Sequence, residues 1–272
     1  MVRGQGPDLI LLHGASGNLR EFDELSARLA SRFRVIALDR PGLGHSEGLD
    51  LADVGLSAQA RHLARAAELL GAFRPLILGH SYGGAVALTW AIEGLLSPAG
   101  LALVSAPTQP WPGRLDLWYR LTQTRLGQTW AIPAVAALLP EFWIRRMARG
   151  VFAPERAPSG YFTDKGIRLA IRRRTLLHNT AQVNRLLSDI RAQTGRYPTL
   201  TLPVELLHGS DDPIVPLKIH SAPLARQLPD ARLTVLHGAG HMPHLTRPDQ
   251  IETALDRLLH RAALHNAPQS QY

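Results

Sequence analysis

The segment Gly79-His80-Ser81-Tyr82-Gly83-Gly84 lies between an apolar run, Leu76-Ile77-Leu78, and a helix-forming run that begins at Ala85. A serine with a glycine two residues away on each side, placed between a strand and a helix, is typical of a sharp turn that exposes the central side chain. The neighbours must be small because the strand and the helix approach closely around a strained residue. The pattern therefore predicts that Ser81 Oγ projects from the carboxyl edge of a sheet, although similar letters also occur in glycine-rich turns without a chemical role.

Short apolar runs resembling the one before Gly79 recur along the chain, at 9–12, 35–38, 76–78, 101–104, 204–207 and 233–236. Continuous apolar runs suit strands that are buried on both faces, as in a parallel sheet. Helical patterns separate them, at 19–31, 57–71, 83–95, 216–228 and 248–264. This alternation predicts an α/β fold with a doubly wound, mostly parallel sheet.

The alternation is interrupted between Val104 and Val204, where no convincing parallel strand is found. This stretch opens and closes with prolines and contains four of the five tryptophans. A structureless loop of this length is rare in a compact domain. We therefore expect a core made of residues 1–106 and 201–272, and a helical lid made of residues 107–200.

A serine hydroxyl is a weak nucleophile at neutral pH and needs a base, which in turn needs an orienting acid. Two later segments offer these groups, each after an apolar run. The first is His208-Gly209-Ser210-Asp211-Asp212-Pro213, and the second is Gly238-Ala239-Gly240-His241-Met242-Pro243-His244. The chain order of serine, acid and histidine is the one used on doubly wound sheets of this kind.

Together with two further motifs, these segments resemble the serine-dependent α/β-hydrolase fold superfamily, in particular its esterase and lipase-like members with a helical lid. The further motifs are His13-Gly14-Ala15-Ser16-Gly17, similar to an oxyanion loop, and Asp39-Arg40-Pro41-Gly42-Leu43-Gly44-His45-Ser46. The resemblance implies about two further strands ahead of the one at 9–12, so that the helical lid, or cap, is inserted after the sixth strand. Only twelve residues precede His13, and we therefore expect one or more N-terminal edge strands to be missing or to lie upstream.

The resemblance also implies roles for individual residues. Ser81 is the expected nucleophile, His241 the general base and acid, and Asp212, favoured over Asp211 by the pattern G-x-x-D, the orienting acid. The expected oxyanion donors are the backbone N–H groups of Ala15 and Tyr82. His241 and His244 could form a metal pair, but no carboxylate or third histidine clusters with them in the sequence, so no metal and no cofactor are expected.

A serine nucleophile argues against the aspartyl-ester chemistry of dehalogenases and epoxide hydrolases. Ester hydrolysis is the leading expectation, with hydrolysis of carbon–carbon bonds and cofactor-free perhydrolysis as alternatives on the same triad. A non-catalytic ligand-binding protein is a third alternative. The apolar residues of the lid indicate a lipophilic acyl or alcohol group, and the candidate substrate contacts are Trp111, Trp143, Met147 and Met242.

The formal net charge of the 272 residues is +8, and it is distributed unevenly. Residues 107–200 hold 15 basic and five acidic side chains, whereas the remainder holds 15 basic and 17 acidic ones. In residues 141–152, Trp143, Ile144, Met147, Ala148 and Val151 fall on one helical face, and Arg145, Arg146 and Arg149 on the other. This helix is either an ordinary lid helix with its apolar face on the site, or a basic amphipathic helix that rests on anionic lipid.

Composition and sequence pattern also bear on disulfides, on nucleic-acid and membrane partners, and on the cellular location. The absence of cysteine excludes disulfides and thiolate chemistry, and no motif accompanies the basic charge to indicate nucleic-acid binding. No run of consecutive apolar residues is as long as a membrane span, and the N-terminal residues lack the pattern of a signal peptide. A cytoplasmic protein is expected, with peripheral membrane contact through the basic lid as an option, while the oligomeric state is left open.

Overall fold

A computed structural model describes residues 1–112 and 116–265. The strands are Val2–Arg3 (β1), Asp8–Leu12 (β2), Arg34–Leu38 (β3), Leu76–His80 (β4), Gly100–Val104 (β5), Val204–Gly209 (β6) and Ala231–Leu236 (β7). They form a single sheet in the order β1-β3-β2-β4-β5-β6-β7. All neighbouring pairs are parallel except β1 and β3, which are antiparallel. This confirms the expected doubly wound, mostly parallel sheet.

Helices cover both faces of this sheet. The α-helices are Asp23–Leu29 (α1), Leu56–Leu69 (α2), Tyr82–Ile92 (α3), Leu117–Thr122 (α4), Ile132–Leu138 (α5), Glu141–Gly150 (α6), Tyr161–Asp164 (α7), Arg173–Gln193 (α8), Ser221–Gln227 (α9), Pro243–Thr246 (α10) and Pro248–His265 (α11). The helix expected over 216–228 is shorter, because residues 217–220 form turns before α9 begins at Ser221.

The inner strands contain continuous apolar runs because successive side chains point into two different cores. In β2, Ile10 and Leu12 belong to a core that includes residues of α2 and α3. Leu9 and Leu11 belong to the opposite core, which includes residues of α1 and α11. All four side chains are fully buried. Burial on both faces therefore explains the continuous runs that the sequence shows.

One of the two further strands expected ahead of β2 is present as β1, a two-residue strand at the edge of the sheet. The lid expected after the sixth strand therefore follows β5, the fifth strand of this chain. We refer to residues 107–200 as the insertion. Its described residues form α4 to α8 with shorter helical turns and contain no strand.

The insertion also carries many of the exposed large apolar side chains of the described residues. They are Leu117, Leu121, Leu126, Trp130, Leu138, Phe142, Trp143 and Met147. Of the helices in the described ranges, not one combines the length and the hydropathy needed to cross a membrane.

Candidate active site

Ser81 lies between β4 and α3 in a backbone conformation that L-residues rarely adopt, with φ 50° and ψ −123°. Its N–H donates to the carbonyl oxygen of Val104 on the neighbouring strand over 2.8 Å, and its own carbonyl accepts from Gly84 N–H over 2.8 Å. These bonds hold the turn in place although its central residue is strained. The side chain does not cap α3, so its hydroxyl is free to bond elsewhere.

Two glycines make this turn possible by allowing close approach of backbones. A Cβ at Gly79 would lie 2.5 Å from the carbonyl oxygen of Gly83. A Cβ at Gly83 would lie 2.2 Å from the carbonyl oxygen of Leu12, on β2. Side chains at either position would therefore separate the strand from the helix and displace Ser81.

Ser81, His241 and Asp212 form a continuous chain of hydrogen bonds. His241 Nδ1 is 2.7 Å from Asp212 Oδ2, and His241 Nε2 is 3.0 Å from Ser81 Oγ. An ionised carboxylate only accepts hydrogen bonds, so Nδ1 carries the proton and donates to Asp212. Nε2 is then left as the acceptor for the Ser81 hydroxyl. The structure thus brings together the three residues that the sequence motifs place far apart in the chain.

The carboxylate of Asp212 is buried but well supplied with donors. The N–H groups of Ile214 and Val215 each donate to Asp212 Oδ1 over 2.9 Å. Burial alone would raise its pKa, but hydrogen bonds from His208, His241 and Val215 outweigh it and hold the pKa of Asp212 well below the usual range. The neighbouring Asp211 is exposed and bonds to Ser210 Oγ, so Asp212 is the acid that contacts His241.

The two expected oxyanion donors, Ala15 and Tyr82, belong to segments that also bound the Ser81 site. Tyr82 is the first residue of α3, and the N–H groups in the first turn of a helix have no partner within that helix. Ala15 lies in the loop after β2 and lines the same cavity as Ser81. The next residue, Ser16, has φ 57° and donates its N–H to Asn179 Oδ1 over 2.7 Å, which fixes the loop against α8.

Arg40 is completely buried and contacts the loop in which the expected oxyanion donor Ala15 lies. Its guanidinium donates to the carbonyl oxygens of His13 and Gly14 over 3.0 and 3.1 Å. It also donates to Gln59 Oε1 and to Gln182 Oε1 over 2.7 and 2.8 Å. Because this buried charge bonds to the backbone of residues 13 and 14, Arg40 is a structural support for that loop.

A cavity of about 600 Å³ opens above Ser81 and His241. Its wall is mainly apolar and comes largely from the insertion, including Val135, Leu139, Ile144, Met147, Val151 and Leu176. Polar side chains face it as well, namely Asn18, Glu21, Lys165 and Asn179. The cavity could therefore hold an apolar group of a substrate next to the serine hydroxyl.

Two of the four candidate substrate contacts line this cavity and two do not. Met147 and Met242 are on its wall. Trp143 lies outside it, 46% exposed, with its ring 5.2 Å from that of Phe142. Trp111 also lies outside it and packs edge-on against His220 with ring centroids 6.0 Å apart. The apolar face of α6 is nevertheless directed at the cavity, through Ile144, Met147, Ala148 and Val151.

Several cavity residues escaped the sequence analysis, among them Trp118, Tyr119 and Asn179. The helical pattern of residues 141–152 was the available signal for α6, whereas α4 and α5 show no comparable pattern. The sequence did not predict Glu21 and His80 as neighbours of His244, because their positions in the chain follow no recognisable spacing. The structure places both beside His244, so a carboxylate and a second histidine do cluster with that residue.

Burial controls the ionisation of this cluster. It raises the pKa of Glu21 to about 8, and it lowers the pKa of His244 to about 3. It also holds the pKa of His80 well below its usual value, with His244 and His241 adding to the effect. The three side chains form the one group of three candidate metal ligands within residues 1–112 and 116–265.

The chain is similar to several known proteins. The Pimeloyl-[acyl-carrier protein] methyl ester esterase of Chromobacterium violaceum is 32% identical over 262 residues, which cover 93% of this chain and 94% of that protein. The Magnesium-chelatase 30 kDa subunit of Rhodobacter capsulatus is 28% identical over 90% of this chain and 84% of its own. An esterase structure from Rhodococcus sp. ECU1013 superposes with a TM-score of 0.71 at 26% identity, covering 94% of this chain and 92% of that one.

The sequence profile described as the alpha/beta hydrolase family matches residues 9–254, which include the serine turn, the insertion and both later segments. The order of the strands and the position of Ser81 after β4 are in keeping with that match. The chain belongs to the alpha/beta hydrolase family.

Proposed function

We propose that this protein is a serine hydrolase that cleaves carboxylic esters with a lipophilic acyl group. The observation that carries the proposal is the hydrogen-bonded chain from Asp212 through His241 to Ser81, which ends at the floor of the mainly apolar cavity. A relative with 32% identity bears the name of a methyl ester esterase, which supports an ester as the substrate class.

In the first half of the reaction, Ser81 Oγ attacks the carbonyl carbon of the ester while His241 Nε2 takes the hydroxyl proton. Asp212 stabilises the imidazolium that results. The carbonyl oxygen becomes an oxyanion, and the N–H groups of Ala15 and Tyr82 donate to it. His241 then gives its proton to the departing alkoxide, the carbon–oxygen bond to the alcohol breaks, and the acyl group remains on Ser81.

In the second half, water takes the place of the alcohol. His241 Nε2 accepts a proton from this water, whose oxygen attacks the acyl carbon. The same two N–H groups stabilise the second oxyanion. The bond to Ser81 Oγ breaks, His241 returns the proton to the serine, and the carboxylic acid is released.

The test is labelling by a fluorophosphonate probe combined with hydrolysis of p-nitrophenyl esters of two to twelve carbons. The wild type should be labelled and should prefer acyl chains longer than acetate. Ser81→Ala should lose both activities while its circular dichroism spectrum is unchanged. Ser188→Ala, at an exposed serine on α8, is the matched control and should behave as the wild type.

Other outcomes identify the alternatives. Labelling of Ser81 without hydrolysis of any ester would favour a carbon–carbon bond hydrolase or a perhydrolase, because these use the same triad. No labelling of the wild type would contradict the serine hydrolase proposal and favour a ligand-binding role. A ligand-binding role is worth testing because a relative with 28% identity is named as a magnesium-chelatase subunit.

We further propose that the insertion contacts anionic lipid. Phe142, Trp143 and Met147 are exposed on α6, and Arg146 and Arg149 on the same helix are exposed as well. Apolar side chains next to guanidinium groups suit the boundary between lipid head groups and acyl chains. The +10 balance of the insertion adds long-range attraction to such a surface.

Co-sedimentation with vesicles tests this contact. We expect binding to phosphatidylglycerol vesicles and much weaker binding to phosphatidylcholine vesicles. The double variant Phe142→Ser/Trp143→Ser should lower binding at least fivefold. Phe73→Ser, at an exposed phenylalanine outside the insertion, is the control and should bind as the wild type. Equal binding by both variants would exclude α6 as the contact.

A further inference from the structure

Three buried side chains from separate parts of the chain converge behind the serine turn. Glu21 lies in the 3-10 turn Leu19–Phe22, His80 is the last residue of β4, and His244 belongs to α10. Their exposed fractions are only 6%, 3% and 1%. One oxygen or nitrogen atom of each lies within 4.8 Å of the other two.

Four polar atoms of this group have no hydrogen-bond partner in the protein. Glu21 Oε2, His80 Nδ1 and both ring nitrogens of His244 are buried without a hydrogen bond among the described residues. Buried polar atoms without partners are costly and rare. Four of them at a single place indicate that the folded protein holds something that satisfies them.

The hydrogen bond of His80 Nε2 fixes the tautomer of the ring and leaves Nδ1 available as a metal ligand. Its Nε2 lies 2.9 Å from the carbonyl oxygen of His241. A carbonyl oxygen only accepts, so Nε2 carries the proton and Nδ1 presents a lone pair. Metal-binding histidines are oriented by the same kind of bond to a backbone carbonyl.

The spacing leaves room for an atom between the three groups. His244 Nε2 and Glu21 Oε2 are 4.0 Å apart, too far for a direct hydrogen bond. The rings of His80 and His244 have centroids 4.1 Å apart and are tilted by 40°. Two imidazoles and one carboxylate form a donor set that suits Zn²⁺ and similar divalent transition metals.

A route of access exists, because Glu21 and His80 also line the cavity above Ser81. An ion that enters this cavity therefore meets the carboxylate and one imidazole without any opening of the core. Three protein ligands would leave a further coordination position for water.

We propose that Glu21, His80 and His244 form a binding site for one divalent transition-metal ion, with Zn²⁺ as the fitting probe. Small rotations about the side chains bring the three ligand atoms to normal coordination distances. The site is separate from the chain Ser81–His241–Asp212 but adjoins it through His80.

Isothermal titration calorimetry of metal-free Ser81→Ala with Zn²⁺ measures the site without any need for activity. We expect one ion per chain, and a dissociation constant raised at least 30-fold by Glu21→Gln and by His244→Gln. His178→Gln is the control, because His178 is a half-buried histidine with an unpartnered Nδ1 outside the group, and it should bind as the parent. X-ray absorption at the zinc edge should show two imidazole ligands.

No binding, or binding that Glu21→Gln and His244→Gln leave unchanged, would overturn the proposal and assign the gap to buried water. Circular dichroism of each variant shows whether it is folded, so loss of binding is interpreted only in folded protein. A protein that binds Zn²⁺ as expected but hydrolyses no ester would retain this site and contradict the proposed function alone.

Discussion

The guanidinium carbon of Arg40 lies 4.2 Å from the centroid of the Tyr82 ring. Arg40 also donates to the carbonyl oxygens of His13 and Gly14. The same buried cation therefore contacts the backbone directly before Ala15 and the side chain of Tyr82, the two expected oxyanion donors. Burial lowers the pKa of Arg40 to about 10, so the side chain stays charged at neutral pH.

Arg40→Lys should lower both stability and activity. A lysine carries the charge but cannot reproduce the fork of donors to His13, Gly14, Gln59 and Gln182. We expect the free energy of unfolding to fall by about 3 kcal/mol, because buried acceptors lose their partner, and kcat/KM to fall at least tenfold. Urea unfolding and p-nitrophenyl ester hydrolysis measure these effects. Arg191→Lys, on the exposed face of α8, should change neither quantity.

The strain at Ser81 should appear as a reversal of the usual ranking of alanine and glycine. Because φ is 50° at this position, Ser81→Gly should be about 1 kcal/mol more stable than Ser81→Ala. At Ser188, within α8, the order should be opposite, since glycine costs about 1 kcal/mol in a helix. Thermal unfolding of the four variants makes the comparison. The same order at both positions would contradict a strained turn.

Asp212→Asn should inactivate the enzyme while leaving the site assembled. An amide cannot fix the His241 tautomer as a carboxylate does, and we expect kcat to fall by a factor on the order of 10⁴. Ester hydrolysis by matched protein concentrations gives this ratio, with Asp211→Asn as the control. Equal losses in the two variants would argue against Asp212 as the orienting acid.

The same variant tests the ionisation of Asp212. Its pKa is lowered on folding, so its contribution to stability is present above about pH 4 and is lost as the pH falls below that value. The free energy of unfolding of the wild type should exceed that of Asp212→Asn by about 2–3 kcal/mol at pH 7. This difference should shrink progressively below pH 4. A difference that does not depend on pH would show that the carboxylate gains nothing from its donors.

Ile144→Trp should narrow the cavity and change the preferred acyl length. Ile144 is buried at 4% exposure and lines the cavity, so the added ring occupies the volume available to a substrate. We expect kcat/KM for p-nitrophenyl octanoate to fall at least tenfold while that for the acetate changes less than threefold. Trp143→Ala, next to it but outside the cavity, should leave the ratio of the two esters unchanged.

Much of the fold was predictable because its signals are local. Most strands contain a short, mainly apolar run, and each of Ser81, Asp212 and His241 follows such a run, so a parallel sheet places all three at one edge. The confirmed fold and family follow from this rule. β1 was harder to predict, because two exposed residues at an edge carry no apolar signal.

The interior of the insertion was less predictable because its helices meet through tertiary packing. Trp111 and Trp143 are large and apolar, but Trp111 turns toward His220 and Trp143 toward Phe142. Ile144, one residue later, is on the wall instead, as the helical phase of α6 requires. The group of Glu21, His80 and His244 joins residues up to 223 positions apart, and no periodicity reports such a contact.

Helix α8 is bonded to the core at several points. Asn179 accepts from Ser16 N–H, Gln182 donates to the carbonyl oxygen of Pro41, and Asp189 accepts from Leu56 N–H. The segment before it is bonded to the core as well, because Glu155 accepts from Gly240 N–H and the carbonyl oxygen of Lys165 accepts from Asn18. A chimera that exchanges only residues 116–150 with those of a relative leaves all of these bonds in place, so the boundary for transplanting substrate specificity lies inside the insertion, directly after α6.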